Sequence, residues 1–245
     1  MKIFATSDLH GDRQRFEKLT KIPSVFPEVD LVLICGDIGG KSSDNLEDLH
    51  KNQVEDYKLF KQKIDRMRQL SNRRLFYILG NDDWFEPNDS GGMEQYMYWT
   101  RLLGDDHEVS ENRGRLFHLI PFEYVLTTPF HTNREANENK IQYELFRRAG
   151  GLSKEAINHS IFVAHDVPKY CLDEVWTEGH VGSTSIRKFI EERQPKAWFC
   201  GHIHEQFGWD MIGKTYVFNC ACNEPGIING WIFDTKTSDF SKVVF

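Results

Sequence analysis

Cysteine, proline and long hydrophobic runs are all scarce in this sequence. The five cysteines (Cys35, Cys171, Cys200, Cys220 and Cys222) are odd in number and form no Cys-x-x-Cys pair, which argues against a disulfide framework or a thiolate zinc module. No stretch approaches the roughly 18 consecutive apolar residues of a membrane-spanning helix. The amino terminus turns polar at Ser7, before a signal-peptide core can form, so a cytoplasmic protein is expected. Positive charge is in deficit: 30 Lys+Arg against 37 Asp+Glu leave a net charge of −7. With no basic block, the sequence offers no stripe to track a nucleic-acid backbone. A small anionic substrate remains compatible, because bound cations reverse the local field. What is present is ordinary globular composition, 40% apolar and 27% charged over 245 residues.

Lys2–Thr6 and Leu31–Cys35 are short β-rich apolar runs that read as strands buried on both faces. Between them Phe16, Leu19 and Ile22 keep helical spacing behind Asp12, a helix cap. Leu46, Leu49, Tyr57, Phe60, Ile64, Met67 and Leu70 recur at three and four and predict a long helix capped by Asp44 or Asn45. Leu75–Leu79, Ile161–Ala164 and Ala197–Cys200 read as strands, and Asn139–Ala149 and Thr184–Glu192 as helices. Leu116–Thr128 suggests a strand pair around Pro121, and Gly208 to Phe245 an antiparallel meander. No repeat, low-complexity tract or linker intervenes. A single α/β domain is expected, with an irregular insertion or lid at about 84–160.

Five predicted strand ends carry residues suited to metal ligation: Ser7-Asp8-Leu9-His10-Gly11, Gly36-Asp37-Ile38, Gly80-Asn81-Asp82-Asp83, Ala164-His165-Asp166 and Gly201-His202-Ile203-His204. In α/β sheets, ligands gather outside the carboxyl ends of the strands, so these loops should meet at one rim. Asp-x-His and His-x-His put two side chains on the same side of an extended segment. Two Asp, one Asn and four His exceed what one tetrahedral zinc takes and suit two cations sharing a carboxylate. Imidazole with carboxylate favours Mn, Fe, Zn, Ni or Co over Ca or Mg. Glycine beside Asp37, Asn81 and His202 lets the backbone turn sharply.

In these five ordered blocks, from Asp8 to His204, the chain resembles the calcineurin-like metallophosphoesterase superfamily. The resemblance implies a two-sheet β-sandwich flanked by helices, in four α/β/β/α layers. It implies a first cation on Asp8, His10, Asp37 and His204, and a second on Asp37, Asn81, His165 and His202, with Asp37 bridging. Manganese is the first candidate for both. The implied activity is phosphoester hydrolysis by a metal-bridging hydroxide, on a small phosphate ester, with a nucleotide among the candidates.

One position departs from the family pattern. A histidine usually follows the Asn and acts on the transition state or the leaving group; here it is Asp82. A carboxylate there repels a monoester dianion more than a diester monoanion, which points to diesters. The alternatives are a phosphomonoesterase, or a catalytically weak metal- or nucleotide-binding module. Ile-Gly-Gly-Lys after Asp37, in place of an Asp-Arg-Gly loop, argues against a phosphoprotein phosphatase. His180, between glycines, is a candidate for contacting phosphate or standing in for the missing acid, the alternative being a solvent-facing loop histidine. Trp84, Phe85, Tyr96, Tyr98 and Trp99 could stack a nucleobase or pack in a lid. Asp83 is expected to orient a neighbouring loop, and Asn219 to be structural.

Overall fold

The computed structural model describes residues 1–41, 43, 45–71, 73–84, 107–110 and 116–245. Its first sheet contains β1 (Lys2–Thr6), β2 (Leu31–Cys35) and β3 (Arg74–Ile78), which run parallel. Two carboxyl-terminal strands, β14 (Asn229–Asp234) and β15 (Phe240–Val244), complete it in the order β15-β14-β1-β2-β3. The second sheet holds β4 (His107–Ser110), β5 (Leu116–Phe122), β8 (Ile161–Ala164), β11 (Ala197–Cys200), β12 (Gly208–Ile212) and β13 (Thr215–Asn219), in the order β12-β13-β11-β8-β5-β4. Short pairs β6 (Val125–Leu126) with β7 (Glu135–Ala136), and β9 (Glu174–Val175) with β10 (Gly179–His180), lie outside both sheets.

The sheets pack face to face through Ile3, Ala5, Leu33, Val163, Phe199 and Phe218, all without solvent exposure. Helices α1 (Arg13–Leu19), α2 (Ile22–Val25) and α3 (Leu46–Ser71) cover the outer face of the first sheet. Helices α4 (Glu138–Ala149), α5 (Lys154–Asn158) and α6 (Thr184–Arg193) cover the second. This is the four-layer sandwich that the resemblance implies. No helix among the described residues is long and apolar enough to cross a membrane.

Local chemistry explains most element boundaries. Asp12 caps α1 by accepting from the amides of Gln14 and Arg15. Asn45 accepts from the Asp48 amide at 2.9 Å at the start of α3, while Asp44 lies outside the described residues. The stripe Leu49, Gln53, Tyr57, Phe60, Ile64 and Met67 is buried. Leu46 and Leu70, read as part of that stripe, are 61% and 69% exposed. The cause is length: 26 residues of helix extend about 39 Å over five-residue strands spanning about 17 Å, so both ends overhang.

Two sequence expectations are corrected. Pro121 breaks no strand; it sits inside β5, opposite Val163 of β8. The described pairing with antiparallel β4 reaches Leu119, so among the described residues Pro121 has a strand neighbour on one side only, where a missing N–H is tolerated. Val125–Leu126 pairs instead with Glu135–Ala136. The tail is not one meander: β12–β13 belong to the second sheet and β14–β15 to the first. Alternation buries every second residue whichever sheet receives the strand, so the pattern does not encode that crossover.

Glu138, the first residue of α4, ties the second helical layer together. Its carboxylate accepts from the amides of Thr184 and Ser185 at 2.7 and 2.9 Å and from Ser183 Oγ at 2.8 Å, an anion on the amino terminus of α6. Burial opposes that charge, yet the donors of Ser185 and Thr184 hold the carboxyl down at about 2. The folded pKa lies below the ordinary 4.5, so this contribution is complete above 4.5 and is lost as pH falls through the folded value. Glu138→Gln is expected to cost about 1 kcal/mol at neutral pH, with the difference from the parent shrinking toward pH 2. Urea denaturation across pH checks this; a difference constant down to about pH 2 contradicts it.

Candidate functional site

All five parallel strand ends predicted to carry ligands converge on one edge of the sandwich. The Ser7 amide donates to the Cys220 carbonyl at 3.1 Å, joining loops of the two sheets, and the Gly201 amide donates to the His165 carbonyl at 3.1 Å, joining two loops of the second. Four of the seven candidate residues, Asp8, His10, Asp37 and His202, have φ between 47° and 68°. This left-handed conformation is unfavourable for side-chain-bearing residues and clusters at functional sites. The neighbouring glycines have a reason beyond turning. A Cβ on Gly80 would run into the Asp37 carboxylate, and one on Gly201 into Ser7 and Asp8.

The donor atoms form two adjoining groups. In one, His204 Nε2 lies 3.1 Å from both His10 Nε2 and Asp8 Oδ1, and His10 Nε2 is 3.8 Å from Asp8 Oδ1. In the other, His165 Nε2 lies 3.0 Å from Asn81 Oδ1 and 3.3 Å from Asp37 Oδ2. Asp37 Oδ2 is also 3.9 Å from His10 Nε2, so one carboxylate faces both groups. The His202 ring stands 5.2 Å from that of His165, centroid to centroid; its backbone amide donates to Asp8 Oδ2 at 3.1 Å. Asp82 joins His10 and Asp37 in a set of potential ligand atoms within 4.8 Å of one another, closer to the centre than its sequence position required.

Several residues aim these donors, and sequence reading passes over most of them. His165 Nδ1 lies 2.7 Å from the Cys35 carbonyl; a carbonyl only accepts, so Nδ1 carries the proton and Nε2 is left for the site. Asn81 Nδ2 donates to Thr132 Oγ1 at 3.1 Å, which turns its Oδ1 toward His165. Buried Arg15 donates to the Asp8 and Leu9 carbonyls at 2.9 and 3.3 Å. Asp83 orients loops, as expected: it accepts from the amides of Ile38, Gly39 and Gly80 at 2.8–2.9 Å. Gln53 Nε2 donates to the carbonyls of Gly40 and Asp82 at 2.9 and 2.6 Å. Its sequence signal was legible, a polar residue within the buried stripe of α3. Thr132 and Arg15 gave none. Asn219 is structural, donating to the Ile203 carbonyl at 2.8 Å and accepting from the Ala221 amide.

The electrostatics fit divalent cations. Burial alone raises carboxylates and lowers imidazoles, and it does lower His10 and His202 to about 4, leaving neutral rings able to donate a lone pair. Asp8 and Asp37 nevertheless go down, Asp37 to about 2, because His204 and His165 face them. His165 and His204 go up against burial, through Asp37 and Asp8 respectively. Two buried carboxylates thus create a field that draws positive charge, and Nε2 of the His10 ring, kept neutral by burial, lies 3.8 Å from one and 3.9 Å from the other. His10 Nε2 and His204 Nε2, 3.1 Å apart, suit lone pairs directed at a common ion. Burial, with Asp37 adding to it, pushes Asp82 up to about 7.

A cavity of about 950 Å³ opens above these groups, with Asp37, Asn81, Asp82, His202 and His204 on its lining. His180 lines the same cavity, so the structure brings it to the site's rim. Trp84 is partly buried, its amide donating to Gln53 Oε1 at 2.8 Å. Phe85, Tyr96, Tyr98 and Trp99 lie outside the described residues. Replacing Asp83 by Asn is expected to weaken divalent-cation affinity about 10–100-fold while the ligands stay in place. Isothermal titration with Mn²⁺ reads this out, and an unchanged affinity contradicts the orienting role.

A model of the calcineurin-like phosphoesterase family matches residues 1–206. An uncharacterized protein of Methanocaldococcus jannaschii is 28% identical over 248 residues, covering 96% of this chain and 93% of that protein. The solved structure of TT1561 from Thermus thermophilus aligns with a TM-score of 0.69 at 16% identity, over 99% of this chain and 97% of that one. A dimetal phosphatase from Danio rerio aligns with a TM-score of 0.55 at 9% identity, over 95% and 91% of the two chains. At these identities the structural likeness is one of fold.

Proposed function

The chain belongs to the calcineurin-like phosphoesterase family, hydrolases of phosphoric esters, and on that footing we propose that it cleaves small phosphate esters, diesters ahead of monoesters, with two divalent cations sharing one buried carboxylate. The observation that carries this reading is Asp37, whose Oδ2 faces His165 at 3.3 Å and His10 at 3.9 Å. Asp8, His10 and His204 would hold one cation with Asp37, and Asn81, His165 and His202 the other. Manganese is the first candidate for an imidazole–carboxylate set of this kind. Bound there, the cations supply Lewis acidity, acidifying water and neutralising charge on the phosphoryl oxygens.

The chain's own residues do the rest. The Asp82 amide donates to Asp37 Oδ1 at 2.9 Å, which leaves Oδ2 directed at the imidazoles. Asn81 would offer a neutral oxygen in place of a carboxylate, which would leave a cation held there more Lewis acidic. Lys41 and Lys169 on the cavity wall bring positive charge to an anionic substrate entering an acidic chain. In its ionised form, reached as pH rises through the raised value of about 7, Asp82 penalises a dianion more than a monoanion, which supports the diester preference.

The test compares initial rates on bis-p-nitrophenyl phosphate and p-nitrophenyl phosphate after metal removal and reloading with Mn²⁺. Metal-dependent turnover is expected, falling at least about 1,000-fold in Asp37→Ala. Turnover no higher than that of Asn81→Ala, with two ions bound, would instead indicate a binding module. Asp82→His is expected to raise the monoester-to-diester rate ratio about tenfold, equivalent to about 1.4 kcal/mol of relieved repulsion. An unchanged ratio removes Asp82 from substrate choice.

A further inference from the structure

His180 belongs to a second arrangement on the cavity rim, built from residues outside the predicted ligand blocks. Its Nδ1 lies 2.8 Å from Asp173 Oδ1. Asp173 is 1% exposed on its side chain against 44% for His180. The other oxygen of Asp173 accepts from the amides of Tyr170 and Gly182, both at 3.0 Å, so the carboxylate is fixed by the backbone on both sides of the loop. The Tyr170 ring meets the imidazole edge-on at 4.9 Å. No described residue accepts a hydrogen bond from His180 Nε2, and the ring lines the cavity whose lining includes Asp37, Asn81 and Asp82.

The loop bearing this pair is tied to the segment that follows His165. The Ser183 amide donates to the Val167 carbonyl at 3.0 Å, and the Lys169 amide to the Ser183 carbonyl at 2.9 Å. A Cβ on Gly182 would meet the Pro168 backbone at 2.8 Å, so the two segments pack without space between them. A solvent-facing loop histidine needs neither a buried carboxylate partner nor this anchorage.

We propose that His180, oriented by Asp173, is the general acid that protonates the leaving-group oxygen. The inference rests on the phosphoesterase reading above and assigns it a residue. A carboxylate on Nδ1 fixes the tautomer and the ring orientation and leaves Nε2 facing the cavity side of the pair for proton transfer. In the step, a water oxygen bonds to phosphorus and the P–O bond to the leaving group breaks with its electron pair on that oxygen. The Nε2 proton of His180 passes to the oxygen, giving the free alcohol. The proton lost by water goes to solvent, from which the neutral imidazole is recharged through the open rim. Charged groups near the pair include Glu174, opposite His180 in the β9–β10 pair, Lys169, whose Nζ donates to the His180 carbonyl, and Glu178 and Glu205 on the lining of the same cavity. Asp173 is a positioning residue.

Leaving-group dependence separates this role from phosphate binding. p-Nitrophenolate departs without a proton, whereas an alkoxide requires one. With two Mn²⁺ verified per chain, kcat/KM is compared on a p-nitrophenyl and a methyl ester of the same phosphate. His180→Gln is expected to lose about 100-fold more on the methyl than on the p-nitrophenyl ester, and Asp173→Asn to move in the same direction by less. A readout independent of turnover accompanies it: the nitrogen-15 NMR spectrum of protein loaded with diamagnetic Zn²⁺ should show a hydrogen-bonded His180 Nδ1–H that disappears in Asp173→Asn. Equal losses on both esters, or no loss, overturn the acid role while leaving the phosphoesterase reading intact. Failure of the parent protein on both esters overturns the two together.

Discussion

The site depends on two carboxylates, Asp8 and Asp37, buried beside one another where the two sheets meet. Bringing like charges out of water together is costly, and only positive charge with well-aimed donors offsets it. The protein places four imidazoles around them, two lowered by burial and two raised by the carboxylates they face. This unequal titration of chemically identical rings follows from position alone. It also couples cation binding to the stability of the fold, because the same charges that attract metal oppose burial when metal is removed.

The remaining architecture serves that placement. Parallel strands from two sheets end at one edge, and cross-sheet bonds such as Ser7 to Cys220 join the edges into one surface. The strained conformations of Asp8, His10, Asp37 and His202 are held by bonds outside the ligand set: Arg15 on the Asp8 loop, Asp83 on the Ile38, Gly39 and Gly80 amides. Precision at the centre is therefore supplied by residues that would touch neither metal nor substrate. The rim is a different matter. There Asp173 and His180 form a hydrogen-bonded pair on a loop anchored to the segment that follows His165.

Much of this was legible in the sequence, for physical reasons. Strands buried on both faces read as continuous apolar runs, and Asp-x-His, Gly-Asp and His-x-His stand out because Asp and His recur directly after several of those runs, where α/β sheets gather their ligands. What failed to read was relational. Thr132 fixes Asn81 from 51 positions away, and nothing local in its sequence says so. The meander expectation failed because alternation tells a strand which face to bury but not which sheet to join. Asp173 went unnoticed because a loop aspartate acquires a role only through the histidine that the fold brings to it. Gln53, a polar residue in an apolar stripe, is the instance in which closer reading would have succeeded.

The central claim is that one carboxylate joins two cation sites. Anomalous diffraction from crystals grown with Mn²⁺ tests it most directly. The account predicts two peaks about 3.5–4 Å apart, one beside Asp8, His10 and His204, the other beside Asn81, His165 and His202, with Asp37 bonded to both. A single peak, or two peaks that Asp37 does not connect, would contradict it.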